Sequence, residues 1–369
     1  MTYTSALTSR LNPYPNMIFT DPAETTDGDW AKYGCFEHVD YTGDNINKEV
    51  FLAILSGDAA KVTEQTGIEN PKVLAAGPED TVFTYFIDHG GDDIIVVGNW
   101  YVHSKDLMNA FQTAFEKKIY GKWVWFMEAC HSGSMFQNLP DNWNIFVMSS
   151  ADAHHDAWMT NCSPNDVVAG KALETCLAGL WDNAYLDYME ENPDCTIGEI
   201  VDHVTKQVAE TSDQNVSHFG DMSFKDLKLA DFVGYPKKSL RSQKKAPSAS
   251  HVVVSEVPAH LAKWKAIRAD KSNLDAAMKN YQEIVFENAK KEVEVMRLGR
   301  LLMSEKAADN ALKTASTSYS VECVRDLTLS LVKKCGHTLP LPQSASNLLR
   351  NICAPGVSVP NVDFNDVCM

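Results

Sequence analysis

Three short, nearly unbroken apolar runs mark the first half of the chain, at 82–87 (VFTYFI), 123–127 (WVWFM) and 144–148 (NIFVM). Runs of this length, rich in β-branched and aromatic residues, predict strands covered on both faces. Between the first two, Leu107, Met108, Phe111 and Phe115 recur at helical spacing and predict an amphipathic helix over 104–118. Strand, helix, strand reads as a right-handed parallel crossover. Further helices are predicted near 47–56, 168–190 and 197–210. Residues 1–81 are otherwise loop-rich, with Pro13, Pro15, Pro22 and Pro71 as punctuation. The first domain, 1–235, is therefore expected to be α/β with a mainly parallel sheet.

The pattern then changes. Residues 236–258 are basic and rich in Ser and Pro, which predicts an exposed linker. Beyond Pro258, Ala, Leu, Lys, Glu and Met dominate to about residue 315, so 259–369 is expected to be an all-helical second domain. No internal repeat is visible.

Composition narrows the function classes. With 44% hydrophobic and 9% aromatic residues over 369 positions, the chain is not wholly disordered. No apolar run reaches the 18 or so residues of a membrane span. A net charge of −16 argues against nucleic acid as a partner. That average hides a split, because residues 1–235 carry −23 and residues 236–369 carry +7. Opposite charges on two parts of one chain predict that the parts dock, through a contact sensitive to salt and pH.

The cysteines divide similarly. Cys35, Cys130, Cys162, Cys176 and Cys195 are scattered, whereas Cys323, Cys335, Cys353 and Cys368 crowd the C-terminus. That even, local set predicts two disulfides of unspecified pairing and an oxidising compartment. Asn161-Cys162-Ser163 and Asn215-Val216-Ser217 are glycosylation sequons. The opening MTYTSALTSR lacks the apolar core of a signal peptide. Against the cysteine pattern, this predicts that the natural N-terminus lies outside the sequence.

In open parallel sheets, chemistry collects at the carboxyl ends of strands. The first run ends in Asp88-His89-Gly90-Gly91, and the second in Glu128-Ala129-Cys130-His131-Ser132-Gly133-Ser134. If those strands are neighbours, an imidazole and a thiol meet at the sheet edge, the minimum equipment for acyl transfer. The N–H groups near Gly90 and Cys130 are then oxyanion-hole candidates. A zinc site from Cys130, His131, His154, His155 and Asp156 is disfavoured by the lack of CxxC or HxxxH spacing. His154 and His155 are instead expected in an exposed loop, and no metal or cofactor is expected.

These residues resemble the legumain family, asparaginyl endopeptidases of the caspase-like cysteine peptidases. The resemblance runs through VFTYFIDHG (82–90), VHSKDL (102–107), FMEACHSGSMF (126–136), NLPDN (138–142) and SHFGD (217–221), with the four-cysteine tail behind them. It implies a caspase-like sheet flanked by helices, followed by a disulfide-linked helical prodomain that inhibits and stabilises the enzyme. Cys130 would be the nucleophile, His89 the general acid/base, and Gly90 and Cys130 the oxyanion donors. Asp88 would match the residue that cyclises to a succinimide. Glu128 and Asp182, with Ala157 where the family usually has Ser, would line the pocket for the substrate Asn carboxamide. The disulfides would be Cys323–Cys353 and Cys335–Cys368, and self-processing would follow Asn273, Asn280 or Asn288.

The implied activity is hydrolysis after Asn, and after Asp at acid pH, by a lysosomal, vacuolar or secreted zymogen. Its expected partners are peptide and protein substrates, its own C-terminal domain as intramolecular inhibitor, and cystatin-type inhibitors. Two departures stand out. The family's opening strand and helix precede the region matching MTYTSAL, and they carry an Asn that orients the catalytic His and an Arg-His pair of the pocket. Their absence predicts a sheet short of one or two strands, an exposed edge at 82–87 and impaired activity. His131 also replaces a family Glu. Rival readings are a glycosylphosphatidylinositol transamidase, a peptide ligase and a non-catalytic binding protein.

Overall fold

The structure, a computed structural model, describes residues 12–15, 17–24, 26, 39–234, 251–357, 359 and 362–369. Cys35, the MTYTSAL segment and residues 236–250 of the expected linker lie outside the described residues.

Helix α1 (Lys48–Leu55) starts where the Asn47 side chain accepts the Val50 N–H, and α2 (Ala59–Thr66) where Asp58 does the same for Lys61. Strand β1 (Thr81–Ile87) follows the first apolar run. The chain then makes a small antiparallel sheet, β2 (Gly90–Gly91), β3 (Ile94–Val97) and β4 (Trp100–His103), which the run-length pattern did not separate from the crossover. Helix α3 (Ser104–Lys117) completes the crossover into β5 (Lys122–Glu128), and β6 (Ile145–Ser149) pairs beside it.

Both pairings, β1 with β5 and β5 with β6, are parallel. Strand β5 shows why its sequence lacks polar alternation. Trp123, Trp125 and Met127 pack on the face under α1 and α3, while Val124 and Phe126 pack on the other. With both faces covered, every position from Trp123 onward is apolar until Glu128.

The opposite face is filled further along. Strand β7 (Trp158–Thr160) comes first, and the hairpin β8 (Val167–Val168) and β9 (Lys171–Ala172), with β10 (Ala178–Gly179), then takes up part of the stretch expected to be helical. Here the expectation over 168–190 fails in its first half. Gly170 turns at φ +81 and a Cys162–Cys176 disulfide ties the loop, so the helix α4 (Leu180–Glu191) begins only after Gly179. Helix α5 (Ile197–Ala209) opens with a capping box of Thr196 and Glu199. Strand β11 (Ser217–Gly220) pairs antiparallel with β6 and closes the order β1-β5-β6-β11. A single turn, α6 (Ala230–Val233), follows.

The expected linker is also corrected. Strand β12 (Val252–Val253) pairs with β7, and α7 (Val257–Arg268) already starts at Val257. Residues 252–258 are thus built into the first domain. Arg268 on α7 reaches the buried carboxylate of Asp166 at 2.8 Å. Helices α8 (Leu274–Leu302), α9 (Glu305–Ala311), α10 (Val321–Cys335) and α11 (Gln343–Ile352) form a second core around Leu298, Leu331, Leu348 and Leu349. Cys323–Cys353 and Cys335–Cys368 staple it.

Candidate active site

Parallel pairing of β1 and β5 brings their two C-terminal loops into contact. The Asp88 N–H donates to Glu128 O at 3.3 Å, extending the ladder past the strands. A Cβ placed on Gly90 would lie 2.3 Å from Cys130 O, so only glycine permits this approach. His131 adopts φ +54, the left-handed region, and turns the chain sharply after Cys130. The turn is laced to the loop after β6, where the His131 N–H donates to His155 O and the Gly133 N–H to Ala151 O, both at 3.0 Å.

Cys130 is buried, and its Sγ accepts the Ala157 N–H at 3.4 Å. Burial, and after it the negative charge of Asp156, pushes this thiol well above its ordinary value. His89 is exposed, its N–H donating to the Asp88 carboxylate at 2.7 Å. Among the described residues no hydrogen bond joins the His89 ring to Cys130. The two side chains thus stand on adjacent loops without being paired.

Behind Cys130 lie two buried acids. Glu128 is 3% exposed, and neither carboxylate oxygen has a hydrogen-bond partner. Burial, and then the charge of Asp182, raises it well above the carboxylate range, with the Ser150 hydroxyl a small opposing influence. Asp182 sits in the first turn of α4 and accepts the Tyr85 hydroxyl at 2.9 Å and the Gly179 N–H at 3.2 Å. Burial raises it to about 6 despite those two donors.

On the other side of the nucleophile's turn, the C-terminal helices reach in. Arg350 of α11 is fully buried, bonded to Asp92 at 3.1 Å, to His154 O at 2.7 Å and to His131 Nδ1 at 2.6 Å. His131 accepts from Arg350 at Nδ1, and its Nε2 lies 3.2 Å from Asp156 Oδ1. The Tyr319 hydroxyl donates to Asp92 at 3.1 Å, and Arg325 bonds Asp93 at 2.8 Å. Burial opposes the charged form of Asp92, but Arg350, His131 and Tyr319 together hold it below its ordinary value. His154, expected in an exposed loop, is instead half-buried beneath these helices, with Tyr319 at 3.0 Å from its Nδ1.

The sequence profile of the Peptidase C13 family matches residues 1–236. This chain belongs to the Peptidase C13 family. It is similar to human legumain, 29% identical over 269 residues that cover 70% of this chain and 55% of that protein. Rice vacuolar-processing enzyme beta-isozyme 1 is 27% identical, covering 94% of this chain and 72% of its own length. Schistosoma mansoni hemoglobinase is 25% identical, covering 98% and 80% respectively. The chain thus spans little more than half of human legumain.

Within this C13 fold, the residues singled out in the sequence separate into three places. Asp88, His89, Gly90, Glu128, Cys130, Ala157 and Asp182 gather around the ends of β1 and β5. Cys323, Cys335, Cys353 and Cys368 staple the helical part in the pairing the resemblance implied. Asn273 is exposed in the turn just before α8, whereas Asn280 and Asn288 lie within that helix. Of the sequons, Asn161 is buried and donates to Thr20 O, which leaves it no room for a glycan, while Asn215 is exposed. Asp92, Asp93, Tyr319, Arg325 and Arg350 carry no motif that singles them out in the sequence, and Asp156 was weighed only as a metal ligand. Their only sequence signal was the charge split, which names no residue.

Proposed function

We propose that the chain is the zymogen of a cysteine endopeptidase that cuts after Asn, and after Asp at acid pH. The contact of Gly90 with the Cys130 backbone, which sets the His89 and Cys130 loops side by side in a C13 chain, carries the reading. Cys130 Sγ attacks the scissile carbonyl, and His89 takes the thiol proton and passes it to the leaving amine. N–H groups of Gly90 and Cys130 stabilise the oxyanion. Water then hydrolyses the thioester, restoring the thiol. Glu128, Asp182 and the Ala157 backbone border the substrate side chain.

The described state fits a latent enzyme. Cys130 is buried, protonated and turned to Ala157 and Asp156, so activation requires it to exchange those contacts for His89. The helical domain acts as intramolecular inhibitor, holding Asp92, Asp93 and the His131 loop through Arg350, Arg325 and Tyr319. Acid loosens this contact: Asp92, held below its ordinary value by Arg350, His131 and Tyr319 against the cost of burial, loses its charge in strong acid and with it its hold on Arg350. Processing falls at Asn273, the one candidate outside a helix interior, because a peptidase needs an extended substrate. Three disulfides and the names of the vacuolar relatives support a vacuolar, lysosomal or secreted site of action.

The test is turnover of a fluorogenic peptide after Asn by the full chain following mild acid incubation. Cleavage that Cys130→Ala abolishes is expected. A chain that stays silent in acid, and equally silent when Arg350→Ala loosens the cap, refutes the peptidase reading.

A further inference from the structure

One buried ion pair lies wholly within the helical half. Glu294 on α8 is fully buried, and its Oε2 lies 2.7 Å from Nε2 of the buried His337. Neither atom has a further hydrogen-bond partner among the described residues, while Glu294 Oε1 accepts the Met369 N–H. Taking such a pair out of water costs at least as much as its own attraction commonly returns, so stability alone is a poor reason to keep it.

A disulfide adjoins the pair. Gly336, in the left-handed region at φ +74, ends α10 and turns His337 back beside Cys335. The Cys335 sulfur, a ring nitrogen of His337 and a carboxylate oxygen of Glu294 all lie within 4.8 Å of one another, and Cys368 is bonded to Cys335. Two sulfurs, an imidazole nitrogen and a carboxylate oxygen thus crowd one point, a donor set that tetrahedral zinc accepts. Zinc holds such donors about 2.0–2.3 Å from itself, hence about 3–4 Å apart, a small closing of the present cluster. The bridge is also the one a reductant reaches. Of the three described bridges, Cys162–Cys176 is buried at both cysteines and Cys323–Cys353 at Cys353, whereas Cys335 and Cys368 are both half-buried.

We infer that reduction of Cys335–Cys368 turns this corner into a zinc site, with Cys335, Cys368, His337 and Glu294 as its four ligands. A dithiol gives two electrons and two protons to the bridge and closes to its own disulfide. The ion then displaces both thiol protons into solvent and binds the neutral imidazole at Nε2, whose proton stays on Nδ1. Two thiolates and one carboxylate around a divalent cation leave a single negative charge. Lys290 and Lys291, whose cations already act on His337, offset it. The ion replaces the lost bridge as the tie between α8, the end of α10 and the segment at Cys368, so the helical half keeps its fold on either side of the redox change.

The test reduces the full chain with a trialkylphosphine, which becomes its oxide by taking an oxygen from water and competes poorly for zinc. Zinc is expected to slow alkylation of Cys335 and Cys368 by iodoacetamide at least about tenfold, and a chelator to restore it. Mass spectrometry reads each cysteine peptide separately, so thiols freed elsewhere do not interfere. Cobalt(II) in place of zinc is expected to give thiolate charge-transfer and tetrahedral d–d bands in the reduced chain. His337→Gln, checked for folding by circular dichroism while oxidised, should lose most of the protection and the bands. Glu294→Gln gives the same reading should that variant fail to fold. Equal alkylation of the two cysteines with and without zinc overturns the inference. So does full protection in both variants, which would leave the thiols alone as the site.

Discussion

Glu128 is the residue at which folding and function conflict. An acid whose native pKa lies above its unfolded value makes the native state the better proton binder. Its contribution therefore falls as pH rises from the ordinary carboxylate range through the native value. For Glu128 and Asp182 that window runs from about 4 upward, through the value of about 6 set by burial for Asp182. Glu128→Gln is accordingly expected to raise the melting temperature by a few degrees near neutral pH, with the gain vanishing near pH 4. Thermal unfolding followed by circular dichroism at both pH values checks this; a loss of stability at neutral pH contradicts the picture of an uncompensated acid.

The same scale shows what the sequence revealed and what it hid. His89 and Cys130 were legible because each ends an apolar run and is followed by small residues that only a tight turn needs. Asp92 and Arg350 were not, since one charged residue looks like any other until folding buries it. Arg350 is 219 residues from the imidazole it bonds, and nothing local to it signals that contact.

At the scale of elements, the three strand runs were found within a residue or so, and α3 with them, but only β5 and β6 are covered on both faces; β1, expected to be, has no fully buried position. The period of the pattern failed where short strands turn quickly, as in β2–β4 and β8–β10, because strands of two to four residues are too short to show a period. Strand β1 carries a consequence of its own. It is the outer strand of the described sheet, it holds no charge, and Tyr85 and Ile87 are 39% and 49% exposed. A groove of about 570 Å³ lined by Phe51, Leu55, Leu74, Val82 and Phe86 runs beside it. Uncharged open edges template pairing with other chains. Ile87→Lys should lower concentration-dependent self-association, measured by light scattering, with little effect on melting. Unchanged scattering would mean that this edge is not what associates.

For the molecule as a whole, the charge split proves to be concentrated. Much of the polar contact between the halves passes through Arg350 and Arg325, set against Asp92 and Asp93. Removing one partner of a buried pair leaves the other uncompensated, typically at a cost of about 3–5 kcal/mol. Arg350→Ala should therefore lower the first thermal transition markedly at neutral pH and speed alkylation of Cys130 by iodoacetamide. Because Asp92 is held below its ordinary value, its share of docking persists above the carboxylate range and disappears as pH falls beneath it. The variant and the parent should thus converge in strong acid. Equal alkylation rates at neutral pH would show that the helices do not guard the thiol.

The disulfides have a further consequence for covalent continuity. All four cysteines of the helical part are bonded to each other, and the remaining bridge, Cys162–Cys176, stays within the sheet domain. No sulfur bond therefore crosses from one half to the other, and the chain itself is their sole covalent link. A single nick between Gly234 and His251 would yield two polypeptides that elute together on gel filtration. They would still run as separate bands in denaturing electrophoresis without reductant. A single band would point to a hidden cross-link, whereas co-elution lost at high salt would identify charge as what keeps the severed pieces together.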